Sequence, residues 1–168
     1  SARGIKRIAW AFASLGIRDV ELFKVLATEA EQKIQNFSAE DVAITAKAFA
    51  TLEVRAEALF RAFSLRVRRE IQSFGAEYLA ITARSFAQLE IRDVELFTVL
   101  ARETMKKIER FPPWCIAQTA WAFGSLRLQN DDLFSALSRQ AKKMIQNFDL
   151  SDIRNIALGF SLLGIRDQ

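Results

Sequence analysis

Histidine is absent from the 168 residues, Cys115 is the only cysteine, and there are two prolines and six glycines. Without histidine there is no Ser-His-Asp or Cys-His nucleophile system and no histidine acid–base chemistry; with one cysteine there is neither a disulfide scaffold nor a Cys/His zinc site. So few glycines and prolines argue against a loop-rich or all-β chain and favour helices. No apolar run approaches the roughly 20 residues of a membrane-spanning helix, so no membrane span is expected. The chain begins at Ser1 rather than Met, and neither a signal peptide nor a transit segment is expected within it; any such segment would be removed or lie outside these residues.

Apolar types make up 51% of the chain and charged types 26%, enough to fold one well-buried domain rather than remain disordered. Lysine and arginine number 24 against 20 acids, a formal net charge of +4, with a sequence pI near 9.5. That balance is compatible with a nucleic-acid partner and too small to establish one.

The dominant feature is a repeat. Phe12, Phe49, Phe86, Phe123 and Phe160 follow one another at steps of 37 residues. Leu15, Leu52, Leu89, Leu126 and Leu163 keep the same step, as do Phe23, Phe60, Phe97 and Phe134, and Phe37, Phe74, Phe111 and Phe148. Thirteen of the 14 phenylalanines fall in these columns, and only Phe63 stands outside, so chance is excluded.

Within one period the apolar spacing is helical. Val42, Thr45, Ala46, Phe49 and Leu52 share one face of a first helix, and Leu59, Phe60, Phe63, Val67 and Ile71 one face of a second. Ser38 with Asp41 forms a capping-box-like start, and Gly75, Pro112 and Asp149 occupy the equivalent place. Asp19, Asp93 and Asn130 are good caps for the second helices, with Ala56 the weak exception. The spacing predicts first helices near 2–15, 39–53, 76–90, 113–127 and 150–163, and second helices near 19–36, 56–73, 93–110 and 131–147.

Hairpins with one shared apolar code must stack, because none buries its Phe/Leu face alone. The expected fold is therefore all-α, a right-handed α-solenoid of about four and a half repeats. Its units lie near 1–37, 38–74, 75–111, 112–148 and, partially, 149–168. The closing Gly164-Ile165-Arg166-Asp167 repeats the turn Gly16-Ile17-Arg18-Asp19 that precedes a second helix, and neither end carries a polar capping repeat. We expect a segment of a longer array, with a native polypeptide heavier than 19.1 kDa.

The period differs from the roughly 34 residues of tetratricopeptide units. Together with the segments at 111–126 (FPPWCIAQTAWAFGSL) and 37–52 (FSAEDVAITAKAFATL), it resembles the heptatricopeptide repeats and their octotricopeptide relatives, organellar proteins often associated with a RAP domain. The resemblance covers the whole chain, although no RAP domain lies within it. It implies RNA binding in a mitochondrion or plastid, in RNA processing, stabilisation, translation or an organellar ribosome. It also implies that the first helices line a concave surface.

On those first helices the positions equivalent to 40, 44, 47 and 51 share a face and vary between units. Arg7, Gln118 and Asn155 have groups that can hydrogen-bond base edges, Trp10, Trp114 and Trp121 offer stacking surfaces, and Arg3, Lys47 and Arg84 can neutralise phosphate. Trp10 and Trp121 can equally fill space between neighbouring first helices, Trp114 is expected to be the more exposed because it follows two prolines at a helix start, and Ile44, Ile81 and Leu158 interrupt the polar face. The second helices carry further phosphate-contact candidates, Arg68, Arg69, Lys106, Lys107, Lys142 and Lys143; the bland alternative is that these complement helix C-terminal dipoles.

We expect no catalysis: Glu40–Asp41 and Asp131–Asp132 sit at helix starts, where acids are electrostatically favoured, and no glycine-rich phosphate loop occurs. Neither a cofactor, a metal nor a small-molecule substrate is expected. Single-stranded RNA is the expected partner. The alternative is a protein-binding scaffold or a structural subunit of an organellar ribosome or another large complex.

Overall fold

The computed structural model describes residues 1–164; the turn expected at Gly164-Ile165-Arg166-Asp167 therefore lies, past its glycine, outside the described residues. Those residues contain nine α-helices and no strand. The first helices are α1 (Ala2–Ser14), α3 (Ala39–Thr51), α5 (Ala76–Gln88), α7 (Pro113–Ser125) and α9 (Leu150–Leu162). The second helices are α2 (Val20–Gln32), α4 (Glu57–Glu70), α6 (Val94–Lys107) and α8 (Asp131–Lys143). The all-helical expectation is met.

Local chemistry sets the helix starts. Ser38 and Asp41 exchange side-chain-to-backbone hydrogen bonds in a capping box, and Asp149 and Asp152 do the same. Asp19, Asp93 and Asn130 accept from the amides of Leu22, Leu96 and Leu133. Ala56 makes no side-chain cap.

The ends of the second helices depart from expectation. Rather than running on as α-helix, the chain tightens into 3-10 turns at Ile34–Asn36, Ile71–Ser73, Ile108–Arg110 and Ile145–Asn147. The tighter turn lets the amide of the closing phenylalanine donate to the carbonyl of the isoleucine three residues back. It also swings Phe37, Phe74 and Phe111 into the core, each at 1% exposure.

First helices end in a Schellman pattern. Val54 donates to the Phe49 carbonyl at 2.9 Å and Glu53 to Ala50 at 3.0 Å, and the same two bonds recur at Ile91–Phe86 and Leu128–Phe123. This places Glu53, Glu90 and Arg127 at positive φ, where the equivalent residue in the first unit is Gly16. A side chain there costs about 1 kcal/mol, offset by the paired carbonyls and by burial of Val54 and Leu128.

Each first helix packs extensively on the next, α1 on α3, α3 on α5, α5 on α7 and α7 on α9, whereas successive second helices touch only lightly. Small side chains make the difference: Ala43, Ala46 and Ala50, Ala80, Ala83 and Ala87, and Ala117 and Ala120 are all buried along the first helices. The closest approach joins α7 to α9. A Cβ at Gly124 would lie 2.4 Å from the Gly159 carbonyl oxygen, and one at Gly159 would lie 2.3 Å from the Ala120 carbonyl oxygen.

Phenylalanines lock each second helix to the first helix that follows. Phe23 meets Phe49 edge-on at 4.8 Å between ring centres, and Phe60–Phe86, Phe97–Phe123 and Phe134–Phe160 repeat that contact at 4.9 Å. At the two ends the same columns lose cover: Phe12 and Phe160 are half-buried and Leu15 is exposed.

Because Gly124 faces backbone rather than a yielding side chain, Gly124→Ala should destabilise by about 1–3 kcal/mol through overpacking. Gly75→Ala, where an added Cβ meets nothing, should leave urea-unfolding midpoints nearly unchanged. Equal midpoints for both variants would contradict the backbone contact.

Candidate nucleic-acid interface

The first-helix face brings several of the expected residues together at its N-terminal end. Arg3, Lys6, Arg7 and Trp10 of α1 face Glu40 and Ile44 of α3 across an open groove of about 460 Å³. Lys6 anchors it, its ammonium 2.8 Å from Glu40 Oε1 and 3.1 Å from Asp41 Oδ1. The hydrogen bond to Glu40 outweighs desolvation and raises the Lys6 pKa. Burial alone would raise the Asp41 carboxyl, but hydrogen bonds from Ser38 and the Lys6 ammonium hold it below its usual value.

Lys6 is thus consumed in joining α1 to α3, while Arg3 and Arg7 are exposed and make no ion pair among the described residues. Trp10 is 57% exposed beside them, and Lys47 lies open on the next helix. Two unmatched guanidinium groups beside an exposed indole can hold phosphate and stack a base.

Farther along, three expectations change. Arg84 is not an open phosphate clamp, because its guanidinium carbon lies 4.3 Å from the centre of the Trp121 ring and much of the side chain is enclosed. Trp121 is correspondingly half-covered, and a base has no free access to the face that Arg84 occupies. Asn155 is buried at 8% exposure and cannot present its amide to a base edge. The close glycine contact between α7 and α9 draws that stretch of α9 into the interface. Trp114 and Gln118 are half-buried, and Trp114 packs against the core.

The second-helix cations are largely committed. Lys107 donates to the carbonyls of Gln72 at 2.9 Å and Phe74 at 2.8 Å and pairs with Glu103 at 2.9 Å, so it ties its unit to the previous one instead of waiting for phosphate. Arg66 acts likewise in the preceding unit: it donates twice to the Phe37 carbonyl and pairs with Glu70. Arg68 pairs with Glu95, Arg69 donates to Gln35, and Lys106 lies 3.4 Å from Glu103. Lys142 and Lys143 are exposed near the end of α8.

Cys115 is buried at 0% exposure, and burial, with Glu77 and Asp152, pushes its thiol far above the ordinary range, away from nucleophilic use. Among the described residues no group of three or more potential ligands could hold a metal, and no helix is long and apolar enough to cross a membrane.

A family model described as RNA-editing substrate-binding complex 6 protein matches residues 3–168, nearly the whole chain. The chain belongs to that family. No curated protein matches it. The family is RNA-associated, in keeping with the helical, mildly basic chain and with RNA and protein partners.

Lys6 and Arg154 are the members of this face that the column argument passed over. Both stand at the position equivalent to 43, which is alanine in the three units between them, so the column looked like core. The departure from alanine in the two outer copies was the available signal.

The shifted carboxyls give a pH test. Asp41 and Glu103 are held below their usual values, so their stabilisation is present above the ordinary carboxylate range and lost as pH falls below about 4 through the folded-state values. Asp152 is raised by burial and contributes with the opposite sign, favouring the fold as it protonates. Asp41→Asn should therefore flatten the acid side of a stability–pH curve, and Asp152→Asn should steepen it. Identical slopes for the two variants would contradict the assignment.

Proposed function

We propose that the chain is a non-catalytic, RNA-binding component of an RNA-editing complex, holding single-stranded RNA along the first-helix face. In this reading the fold is a right-handed α-solenoid of heptatricopeptide-like hairpins repeating every 37 residues. Packing supports the curvature: where first helices approach more closely than second helices, the stack bends with the first helices on its inner wall. RNA-editing complexes are organellar, which favours the mitochondrion; the family description lends no support to a plastid or a ribosome.

The observation that carries the reading is the groove in which Arg3, Arg7 and Trp10 converge without acidic partners of their own. Arg3, Arg7 and Lys47 neutralise backbone phosphates, and Trp10 stacks a base for about 1–3 kcal/mol. At one base per unit the face covers about 4–5 nucleotides. Sequence selection then depends on further surface in the complex.

A second reading, a protein-docking subunit, draws on the opposite side. Val25 and Leu65 are 61% and 58% exposed on α2 and α4, where Lys24, Arg66 and Arg68 already pair with acids.

Binding of short single-stranded RNAs at two salt concentrations separates the readings. Arg3→Glu/Arg7→Glu should weaken binding about tenfold or more and reduce its salt dependence, since about two phosphate contacts disappear. Lys106→Glu/Lys143→Glu should change it little. The reverse ranking moves RNA to the second helices, and no binding at low salt leaves the docking subunit as the function.

A further inference from the structure

The contact between Arg84 and Trp121 leaves an electrostatic account open. Arg84 Nη1 is sealed from solvent and has no hydrogen-bond partner. No carboxylate pairs with this guanidinium among the described residues, and the charge that acts on it is a second cation, Arg154 of α9. The acids on α5 and α9 are otherwise placed. Glu77 lies two helical turns before Arg84, and Asp152 is engaged in the capping box of α9. A part-buried cation with a donor unused and a second cation acting on it is unfavourable unless something negative completes it.

The aromatic contact does not complete it. Trp121 attracts the guanidinium through its ring face, but an indole face accepts no strong hydrogen bond from Nη1. It holds the guanidinium carbon over the ring, and the donors other than the sealed Nη1 are left for a planar or tetrahedral oxyanion. Arg154 is exposed and makes no ion pair among the described residues, so it can approach the same anion from α9. Three consecutive first helices thus supply one floor and two donors.

We propose that Arg84 and Arg154, with Trp121 as platform, form a socket for one phosphate oxyanion. This rests on the reading of the first-helix face as an RNA surface, and it assigns Trp121 to orienting Arg84 instead of stacking a base. An internal phosphodiester of single-stranded RNA and a free phosphate share the required chemistry. The spread of the site across α5, α7 and α9 fits a backbone that runs along the stack.

The test uses a Trp10→Phe/Trp114→Phe background, in which Trp121 is the only indole, as the reference for every comparison. An abasic ribose-phosphate oligomer without terminal phosphate should shift the Trp121 emission saturably. Arg84→Gln and Arg154→Gln should each weaken that oligomer about tenfold, the loss of a charged hydrogen bond, and lower the salt slope by about 0.7. The double variant should lower the slope no further, because both arginines serve one phosphate. Arg84→Met should melt at the same temperature as the reference or higher, since it removes an unmatched cation and keeps the stack.

Several outcomes overturn the socket. If Arg84→Gln and Arg154→Gln leave oligomer affinity and emission unchanged while base-containing RNA still binds, the socket fails and the RNA surface stands. A fall of several degrees in Arg84→Met marks the guanidinium as a structural brace and also ends the proposal. If inorganic phosphate alone moves the emission in an Arg84-dependent way and no oligomer binds, the socket stands for a free phosphate and the RNA surface falls.

Discussion

The edge-to-face contact between a second-helix phenylalanine and the first-helix phenylalanine of the following unit is the interaction on which the rest depends. It recurs four times at nearly constant separation, from Phe23–Phe49 to Phe134–Phe160. Each pair fixes where a hairpin sits on its neighbour, because a ring edge presented to a ring face tolerates little sliding and contributes about 0.5–1.5 kcal/mol beyond simple burial. With that distance fixed, the width of the remaining side chains decides the relative spacing of the two helix layers. Alanines draw the first helices together, and longer residues hold the second helices apart.

This asymmetry also sorts the charges. Between the second helices there is room for arginine and lysine to reach back to the carbonyl at the preceding unit's closing phenylalanine, as Arg66 and Lys107 do. Their ion-pair partners have exchanged places: arginine precedes glutamate in one unit, and glutamate precedes lysine in the next. Different sequence orders thus satisfy the same carbonyl. Between the first helices there is no such room except at the outer copies, where Lys6 and Arg154 replace alanine. The two proposed phosphate sites involve those positions.

Much of the fold was legible because it rests on local rules repeated several times. Helix starts at Ser38, Asp19, Asp93 and Asn130 followed from cap chemistry, and the buried phenylalanine columns followed from their fixed step. The 3-10 endings were not legible, since Ile34-Gln35-Asn36 has no local signal that separates a tight turn from one more helical turn. At the candidate site the failures share a cause. Exposed positions on a helix can be identified from periodicity, but whether Arg84 lies over Trp121 and whether Lys107 is occupied depend on groups about 33–37 residues away in sequence, and whether Asn155 is covered depends on how closely α9 meets α7. Periodicity carries no information about those meetings.

The paired glycines between α7 and α9 also bear on mechanics. Where backbone rests on backbone there is no side chain to rotate aside, so that junction is a stiff joint in an otherwise more compliant stack. Any change in curvature as a strand is taken up or released would then be carried by the alanine-lined junctions nearer α1. The proposed grip of Arg3, Arg7 and Trp10 would then move relative to a stationary Arg84–Trp121 contact.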